Sequence, residues 1–209
     1  MRLSPLEPWF RGFPLPSPDD GAVLRFEDLS LRSRFGCKGP GAQAWLAAAG
    51  YSVPAEPNSA AIDADGVLVA RLATAEFLIE AADGGADRVE STLRRLTPPA
   101  CPYDVYPVAR QDLVIGIEGP AINALLRQTC SVDFAPLLER CGRYAGPIIL
   151  TSMIGVSVVA FVRRAAEGPV LTLWADPSFA HYFWTTLLEV SSDLPRAPPN
   201  SSKLRKTLE

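Results

Sequence analysis

The chain has 209 residues, of which 48% are apolar and 21% are charged, and its formal net charge is −3. This composition excludes a chain that is disordered throughout, and the weak negative charge argues against a global basic surface for nucleic acid. No stretch reaches the roughly 20 apolar residues that span a bilayer. The first eight residues lack the pattern of a secretory signal, so the sequence predicts a cytoplasmic protein without membrane association.

The N-terminal segment, residues 1–22, is rich in proline and aromatic residues. Its five prolines are incompatible with a regular helix. The aromatic residues of this arm predict that it docks, either on its own domain or on a partner protein. They are Trp9, Phe10 and Phe13.

An internal repeat follows the arm. The pattern G-x-x-G-P-x-x-x-A-x-L occurs at residues 36–46 and recurs at residues 116–126. In each copy we expect a strand that ends at the first glycine, a tight turn at the second, and a helix that begins at or near the proline. Two copies indicate a duplicated half rather than a solenoid.

The first copy predicts a helix that ends at Gly50, two strands at 67–72 and 76–81, and a second helix from about Ala86. The apolar stripe of the first helix comprises Ala42, Trp45, Leu46 and Ala49. The inward residues expected on the second helix are Ala86, Val89, Leu93 and Leu96.

The second copy predicts an equivalent helix, a long β-branched stretch at 148–163 that breaks at Gly155, and a strand at 170–174. The last helix is expected to open at Asp176-Pro177. The stripe of the equivalent helix comprises Ile122, Leu125, Leu126 and Thr129.

The order of elements in both copies is strand, helix, two or three strands, helix. This order predicts an α+β fold built from duplicated ferredoxin-like halves. The predicted domain covers residues 23–193, with halves at about 23–100 and 101–193. Residues 194–209 predict a disordered tail, and its last two residues resemble the remnant that precedes a purification tag.

No catalytic constellation emerges from the sequence. The single histidine, His181, lies in the last predicted helix and is interpreted as a partly exposed residue of the helix surface, since a catalytic base needs an oriented partner nearby. The glycines of the repeat do not match a dinucleotide or phosphate loop. The cysteines lack the spacing of a zinc site and are interpreted as free, mostly buried thiols. They are Cys37, Cys101, Cys130 and Cys141.

The last helix is apolar over more than half of its circumference, which indicates either core packing or a subunit interface. Its residues Tyr182 and Trp184, together with Trp9, Phe10 and Phe13 of the arm, form the candidate partner interface.

Several short segments resemble a known family. The segments are residues 28–30, 34–42, 45–46, 70–72, 76–78, 119–120, 125–126, 130–134 and 178–184. They resemble the gamma subunit of heterotetrameric sarcosine oxidase, a small relative of the glycine-cleavage T-protein and its folate-binding fold. The resemblance extends over about residues 27–190.

The resemblance implies a non-catalytic subunit of a complex that oxidises sarcosine to glycine and couples this to tetrahydrofolate. It implies that the alpha, beta and delta subunits are the partners and that flavins, NAD and zinc belong to them. No cofactor is then expected on this chain alone, with tetrahydrofolate as the one ligand that the fold would allow. An isolated subunit is expected to self-associate through its apolar interfaces.

Two other hypotheses stay open at this point. One is a freestanding folate-binding or aminomethyltransferase-like one-carbon protein, which would need a central pocket with an acidic residue. The other is an adaptor of the same fold with an unrelated partner.

Overall fold

The computed structural model describes residues 3–7, 24–96, 103–166 and 168–194. Trp9, Phe10, Phe13, Cys101 and the predicted tail beyond Leu194 lie outside these residues. None of the helices in the described ranges is long and apolar enough to cross a membrane.

The elements of the first half follow one another along the chain. They are β1 (Arg25–Asp28), β2 (Arg34–Lys38), α1 (Ala42–Ala48), β3 (Ser59–Ile62), β4 (Val67–Ala73), β5 (Glu76–Ala81) and α2 (Ala86–Arg95).

The second half continues the series. Its elements are β6 (Tyr106–Val108), β7 (Leu113–Glu118), α3 (Ile122–Thr129), α4 (Ala135–Arg140), β8 (Ala145–Met153), β9 (Val156–Ala165), β10 (Gly168–Ala175), a 3₁₀ turn (Pro177–Phe179) and α5 (Ala180–Ser192).

The strands of the described residues form one antiparallel sheet in the order β1-β7-β10-β9-β8-β3-β4-β5-β2-β6. Its midpoint is the pairing of β3 with β8, where Ala60 lies opposite Gly146. Outward from this midpoint, the order β3-β4-β5-β2 on one side corresponds to β8-β9-β10-β7 on the other. We call these four-strand sets the first block and the second block.

The edge strands are exchanged between the blocks. Strand β1 precedes the first block in the chain but pairs with β7 of the second. Strand β6 precedes the second block but pairs with β2 of the first. Each block therefore depends on a strand from the neighbouring part of the chain.

Side chains alternate between the two faces of each strand, and this divides the core into three clusters. Helices α1 and α2 cover the outer face of the first block, with Phe35 and Phe77 buried beneath them. Helices α3, α4 and α5 cover the outer face of the second block. The inner faces of both blocks share a third cluster, which contains Leu78 from β5 and Trp174 from β10. The sheet is thus curled, with its two blocks facing each other.

The first glycine of each repeat copy lies inside a strand, because β2 continues to Lys38 and β7 to Glu118. The prediction that the strands end at these glycines is wrong. A Cβ atom at Gly36 would lie 2.9 Å from Val108 Cβ, and one at Gly116 would lie 2.9 Å from Leu29 Cδ1. Glycine is needed there because a side chain in, or directly after, the paired edge strand lies where a Cβ atom would be.

The second glycine of each copy confirms the predicted tight turn. Gly39 has φ +119° and Gly119 has φ +133°, conformations that only glycine adopts readily. The prolines occupy the turn, and the helices begin two residues later at Ala42 and Ile122.

Other local predictions are confirmed at the level of elements. The β4–β5 hairpin and the start of α2 at Ala86 agree with the sequence pattern. The β8–β9 hairpin turns at Ile154-Gly155, where both residues have positive φ. The Asp176 carboxylate accepts a hydrogen bond of 2.8 Å from the Ser178 N–H and so caps the 3₁₀ turn that leads into α5.

The inner face of α2 differs from its prediction. Leu93 is 41% exposed, whereas Thr92 is buried. The Thr92 hydroxyl pairs with the Tyr51 hydroxyl at 2.9 Å, so a polar residue occupies the inward position.

Candidate functional site

The described residues with the strongest functional chemistry lie where the inner faces of the two blocks meet. Glu80 on β5 is fully buried there. Arg34 lies directly opposite it in the β2–β5 register. The Arg34 Nε–H donates to Glu80 Oε2 at 2.8 Å, and both side chains have at most 1% exposure.

A third residue reaches this ion pair from the other block. The Trp174 Nε1–H on β10 donates to the same Oε2 atom at 2.8 Å. Glu80 therefore connects strands that are far apart in the sheet. Its second oxygen, Oε1, has no hydrogen-bond partner among the described residues, and the Arg32 guanidinium lies 3.7 Å from it.

The guanidinium of Arg34 also binds two main-chain carbonyls. Nη2 donates to the Leu29 carbonyl at 2.7 Å and Nη1 to the Asp112 carbonyl at 3.2 Å. These carbonyls belong to the segments that lead into β2 and β7. A buried ion pair is tolerated when its remaining donors and acceptors are satisfied, and Arg34 meets this condition through these bonds.

The enclosed space nearest the charged side chains of this region is small. A cavity of about 20 Å³ lies on the inner face of the second block. That volume holds about one water molecule. Its charged lining comprises Arg25, Glu27, Arg32, Glu118 and Arg163.

A cleft of about 670 Å³ lies near the β3–β8 junction and carries carboxylates on one side. Asp63 and Asp65 each bind Arg88 at 2.8 Å. Asp83 lies 3.3 Å from Arg163. These ion pairs satisfy the carboxylates, and the described residues contain no group of three His, Cys, Asp or Glu side chains that could hold a metal ion.

The chemically reactive residues considered in the sequence do not converge on the cluster. His181 is exposed on α5. Cys37 and Cys141 are buried and Cys130 is half-buried, all as free thiols. Burial raises the pKa of the Cys37 thiol to about 12, so this sulfur stays protonated at neutral pH.

The two predicted interface residues on α5 have different environments. Tyr182 is 49% exposed and donates its hydroxyl hydrogen to the Ile154 carbonyl at 2.9 Å. Trp184 is 5% exposed and packs edge-on against Phe26, with ring centroids 6.1 Å apart. Phe179 lies near the start of the helix and is 47% exposed.

Sequence reasoning did not single out Glu80, Arg34 or Trp174. The available signal was a charged residue inside an apolar strand, as in Leu78-Ile79-Glu80-Ala81. Acidic residues are rarely fully buried unless they are paired, so such a position indicates a counter-ion elsewhere in the chain.

No protein-family model and no curated protein matches the chain. Among solved structures, it is similar to a chain of heterotetrameric sarcosine oxidase from Corynebacterium sp. U-96, determined in complex with pyrrole 2-carboxylate. The identity is 25% and the TM-score 0.69, and the match covers 94% of this chain and 98% of that one. The resemblance to sarcosine oxidase is confirmed.

A second similar structure is the glycine cleavage system aminomethyltransferase T from Bartonella henselae. The identity is 16% and the TM-score 0.53, and the match covers 81% of this chain and 46% of the transferase. The chain thus has a mixed α/β fold with a curled antiparallel sheet. It shares this fold with a sarcosine oxidase chain and with about half of a T-protein.

Proposed function

We propose that this chain is a non-catalytic subunit, of the gamma type, in a sarcosine oxidase complex that couples sarcosine demethylation to tetrahydrofolate. The observation that carries the proposal is the match to 98% of one chain of a heterotetrameric sarcosine oxidase. A match of this coverage relates the chain to a whole subunit rather than to one domain of a larger enzyme.

The chemistry of the inner surface supports a structural role. An enzyme of this size needs a concave site with a few convergent polar groups. Here the convergent groups, Arg34, Glu80 and Trp174, bind one another. The enclosed cavity on the inner face of the second block has room for about one water molecule.

The proposed partners are the alpha, beta and delta subunits of the complex. Phe179 and Tyr182 provide exposed aromatic surface on the last turn-and-helix unit, which suits a subunit contact. Trp9, Phe10 and Phe13 stay proposed as interface residues of the arm. Trp184 would support this surface from beneath, because it packs in the outer core of the second block.

We also propose that the fold arose by duplication. The two blocks have the same strand order. Their registers correspond as well, since Arg34 faces Glu80 in the first block and Val114 faces Trp174 in the second. Gly36 and Gly116, the equivalent glycines of the repeat, lie opposite Leu78 and Thr172 respectively.

For cofactors, the proposal is that flavin, NAD and zinc are held by the partner subunits and that this chain binds no folate alone. The competing hypothesis is a freestanding folate-binding protein, which the fold shared with aminomethyltransferase T favours. Calorimetric titration of the purified chain with tetrahydrofolate separates the two. Saturable heat with a rise in melting temperature would favour the folate-binding hypothesis.

The direct test is affinity capture of the tagged chain from its native host grown on sarcosine. We expect the flavin-bearing subunits to co-purify in equimolar amounts, as shown by mass spectrometry and flavin absorbance. A chain that is recovered alone under mild salt conditions would contradict the proposal.

A further inference from the structure

A groove of about 490 Å³ crosses the inner face of the second block near the ends of β8, β9 and β10. Its apolar lining includes Leu150, Val159 and the edge of Trp174. Leu150 is 57% exposed, although it continues the inner face that is buried at Ile148. The groove is therefore an outward extension of the inner apolar core that the described residues leave uncovered.

The groove lies beside an open stretch of sheet edge. Strand β3 pairs with β8 only at Ala145–Pro147, and an isolated bridge joins Met153 to Cys130 farther along. Between these points, no strand of the described residues pairs with β8 on the side away from β9.

The backbone of Leu150 is directed toward this open side. The Ile148 N–H donates to the Asn58 carbonyl, and the Ile154 N–H donates to the Thr129 carbonyl, both away from β9. Leu150 has the same phase along the strand, because the direction of the peptide groups alternates with every residue. An extended chain could thus bind here by main-chain hydrogen bonds over a short distance.

The charged residues that line the groove, Asp112 and Asp176, are both acidic. Asp112 Oδ2 is buried and has no hydrogen-bond partner among the described residues, while Oδ1 lies 3.5 Å from Arg110. Asp176 is exposed and uses its carboxylate to cap the Ser178 N–H. The described residues that line the groove include no lysine or arginine.

We propose that this groove binds an extended segment of a partner chain that carries a lysine or arginine next to an aliphatic or aromatic residue. The apolar residue would cover Leu150 and Val159, and the basic group would lie near Asp112 and Asp176. The inference rests on the proposed function in naming another subunit of the complex as the source of the segment.

The test uses the full-length tagged chain in its native host, with a photo-crosslinking phenylalanine analogue at position 150. We expect an irradiated product that joins position 150 to a partner subunit, and mass spectrometry should place the link within a few residues of a lysine or arginine. A link to a second copy of the chain, a link to its own residues 8–23, or no link would overturn the proposal.

Substitutions at the groove give an independent measure. Leu150→Asp should reduce recovery of the partner subunits at least tenfold, because it removes the apolar contact and forces a carboxylate to be desolvated against the aliphatic or aromatic residue of the segment. Leu93→Asp is the matched control, since Leu93 is also exposed but lies on α2, on the outer face of the first block. Both variants should melt close to the wild-type temperature, and equal capture by the two would overturn the proposal.

The ionic part is tested with Asp176→Asn, which keeps an oxygen for the cap of the 3₁₀ turn. We expect weaker capture and a shallower dependence on salt than in the wild type. An unchanged salt dependence would contradict a basic occupant.

The proposed function and the proposed groove fail separately. If the wild-type chain captures no flavin-bearing subunit, the proposed function is overturned. The crosslink at position 150 then still tests whether the groove binds a partner. A link to a basic, extended segment of an identified protein would support the proposal, and the other products would overturn it.

Discussion

The two blocks of the sheet share a backbone plan but differ in the chemistry that they direct to the centre. In the first block, the inward cross-strand pair is Arg34 and Glu80. In the second, the corresponding pair is Val114 and Trp174. An ion pair in one block thus occupies the place of an apolar pair in the other.

The difference explains how the blocks are joined. Glu80 and Trp174 occupy corresponding positions, and the indole N–H of one binds the carboxylate of the other. Two identical pairs could not make this contact, since two carboxylates repel and two indole donors have no acceptor. The different facing side chains therefore allow a specific contact between similar backbones.

The largest expected effect comes from removing the charge of Glu80. Glu80→Gln leaves the buried Arg34 guanidinium without its counter-ion and should lower the free energy of unfolding by about 3–5 kcal/mol. Urea denaturation measures this change. The control is the double variant Arg34→Met/Glu80→Leu, which makes the inward pair of the first block apolar like that of the second. Its free energy of unfolding should fall much less. A single variant that costs under about 1 kcal/mol would show that the pair is not desolvated as the structure indicates.

Trp174→Phe tests the link between the blocks. It removes the N–H that donates to Glu80 Oε2 and should cost about 1.5–3 kcal/mol, the range for hydrogen bonds to charged groups. In the Arg34→Met/Glu80→Leu background the same change should cost clearly less, because the acceptor is gone. A double-mutant cycle with no coupling between the two sites would mean that the indole acts only by filling volume.

The turn that both blocks share after β2 and β7 is tested at Gly39. Gly39→Ala places a Cβ on a residue with φ +119° and 2.4 Å from the Asp104 carbonyl oxygen. We expect a loss of about 1–3 kcal/mol, the cost of holding a non-glycine residue in such a conformation. Gly155→Ala is the control, because Gly155 also has positive φ but no atom within 4 Å of the position that a Cβ would occupy. If Gly155→Ala lowers the free energy of unfolding more than Gly39→Ala does, the close approach of the Asp104 carbonyl is not what requires glycine at position 39.

The smallest effect concerns Cys37, whose counterpart in the repeat is Ile117. Burial raises its pKa from 9.0 to about 12, so the protonated thiol is favoured in the fold. The stability from this shift is complete below pH 9 and is lost as the pH rises through 12. The fall in melting temperature above pH 9 should therefore be steeper in the wild type than in Cys37→Ala. Identical alkaline slopes would contradict the burial of the thiol.

The position of Cys37 also predicts its reactivity. A thiol reagent at about pH 8 should modify the half-buried Cys130 in the folded chain before Cys37. The order should disappear in denaturant, where both thiols are exposed.

Much of the fold could be predicted from local sequence because local backbone preferences decide it. Gly39 and Gly119 mark turns that need positive φ, and Asp176-Pro177 marks a helix start. Helix α4 and the short strands β1, β3 and β6 were missed. Such short elements carry too few residues for a periodic pattern, and the three strands form by pairing with strands that are distant in the sequence.

Contacts between segments that are distant in the sequence, including those of the candidate site, were harder to predict than the fold. The glycines of the repeat predicted a turn, but the reason for Gly36 and Gly116 is a close approach by residues distant in sequence. Leu93 fitted the apolar stripe of α2, yet the hydroxyl of Tyr51 gave Thr92 a partner at the inward position. Both outcomes depend on neighbours that periodicity does not specify.

The sequence by itself determined the repeat, the types of its main elements and the resemblance to sarcosine oxidase, because these follow from short-range patterns of glycine, proline and apolar residues. Only the tertiary structure decided the exchange of β1 and β6, the curl of the sheet and the meeting of Glu80 with Trp174, which are 94 residues apart. The physical reason is that a buried charge is stable only beside specific partners, and the partners are set by which faces of the sheet come together.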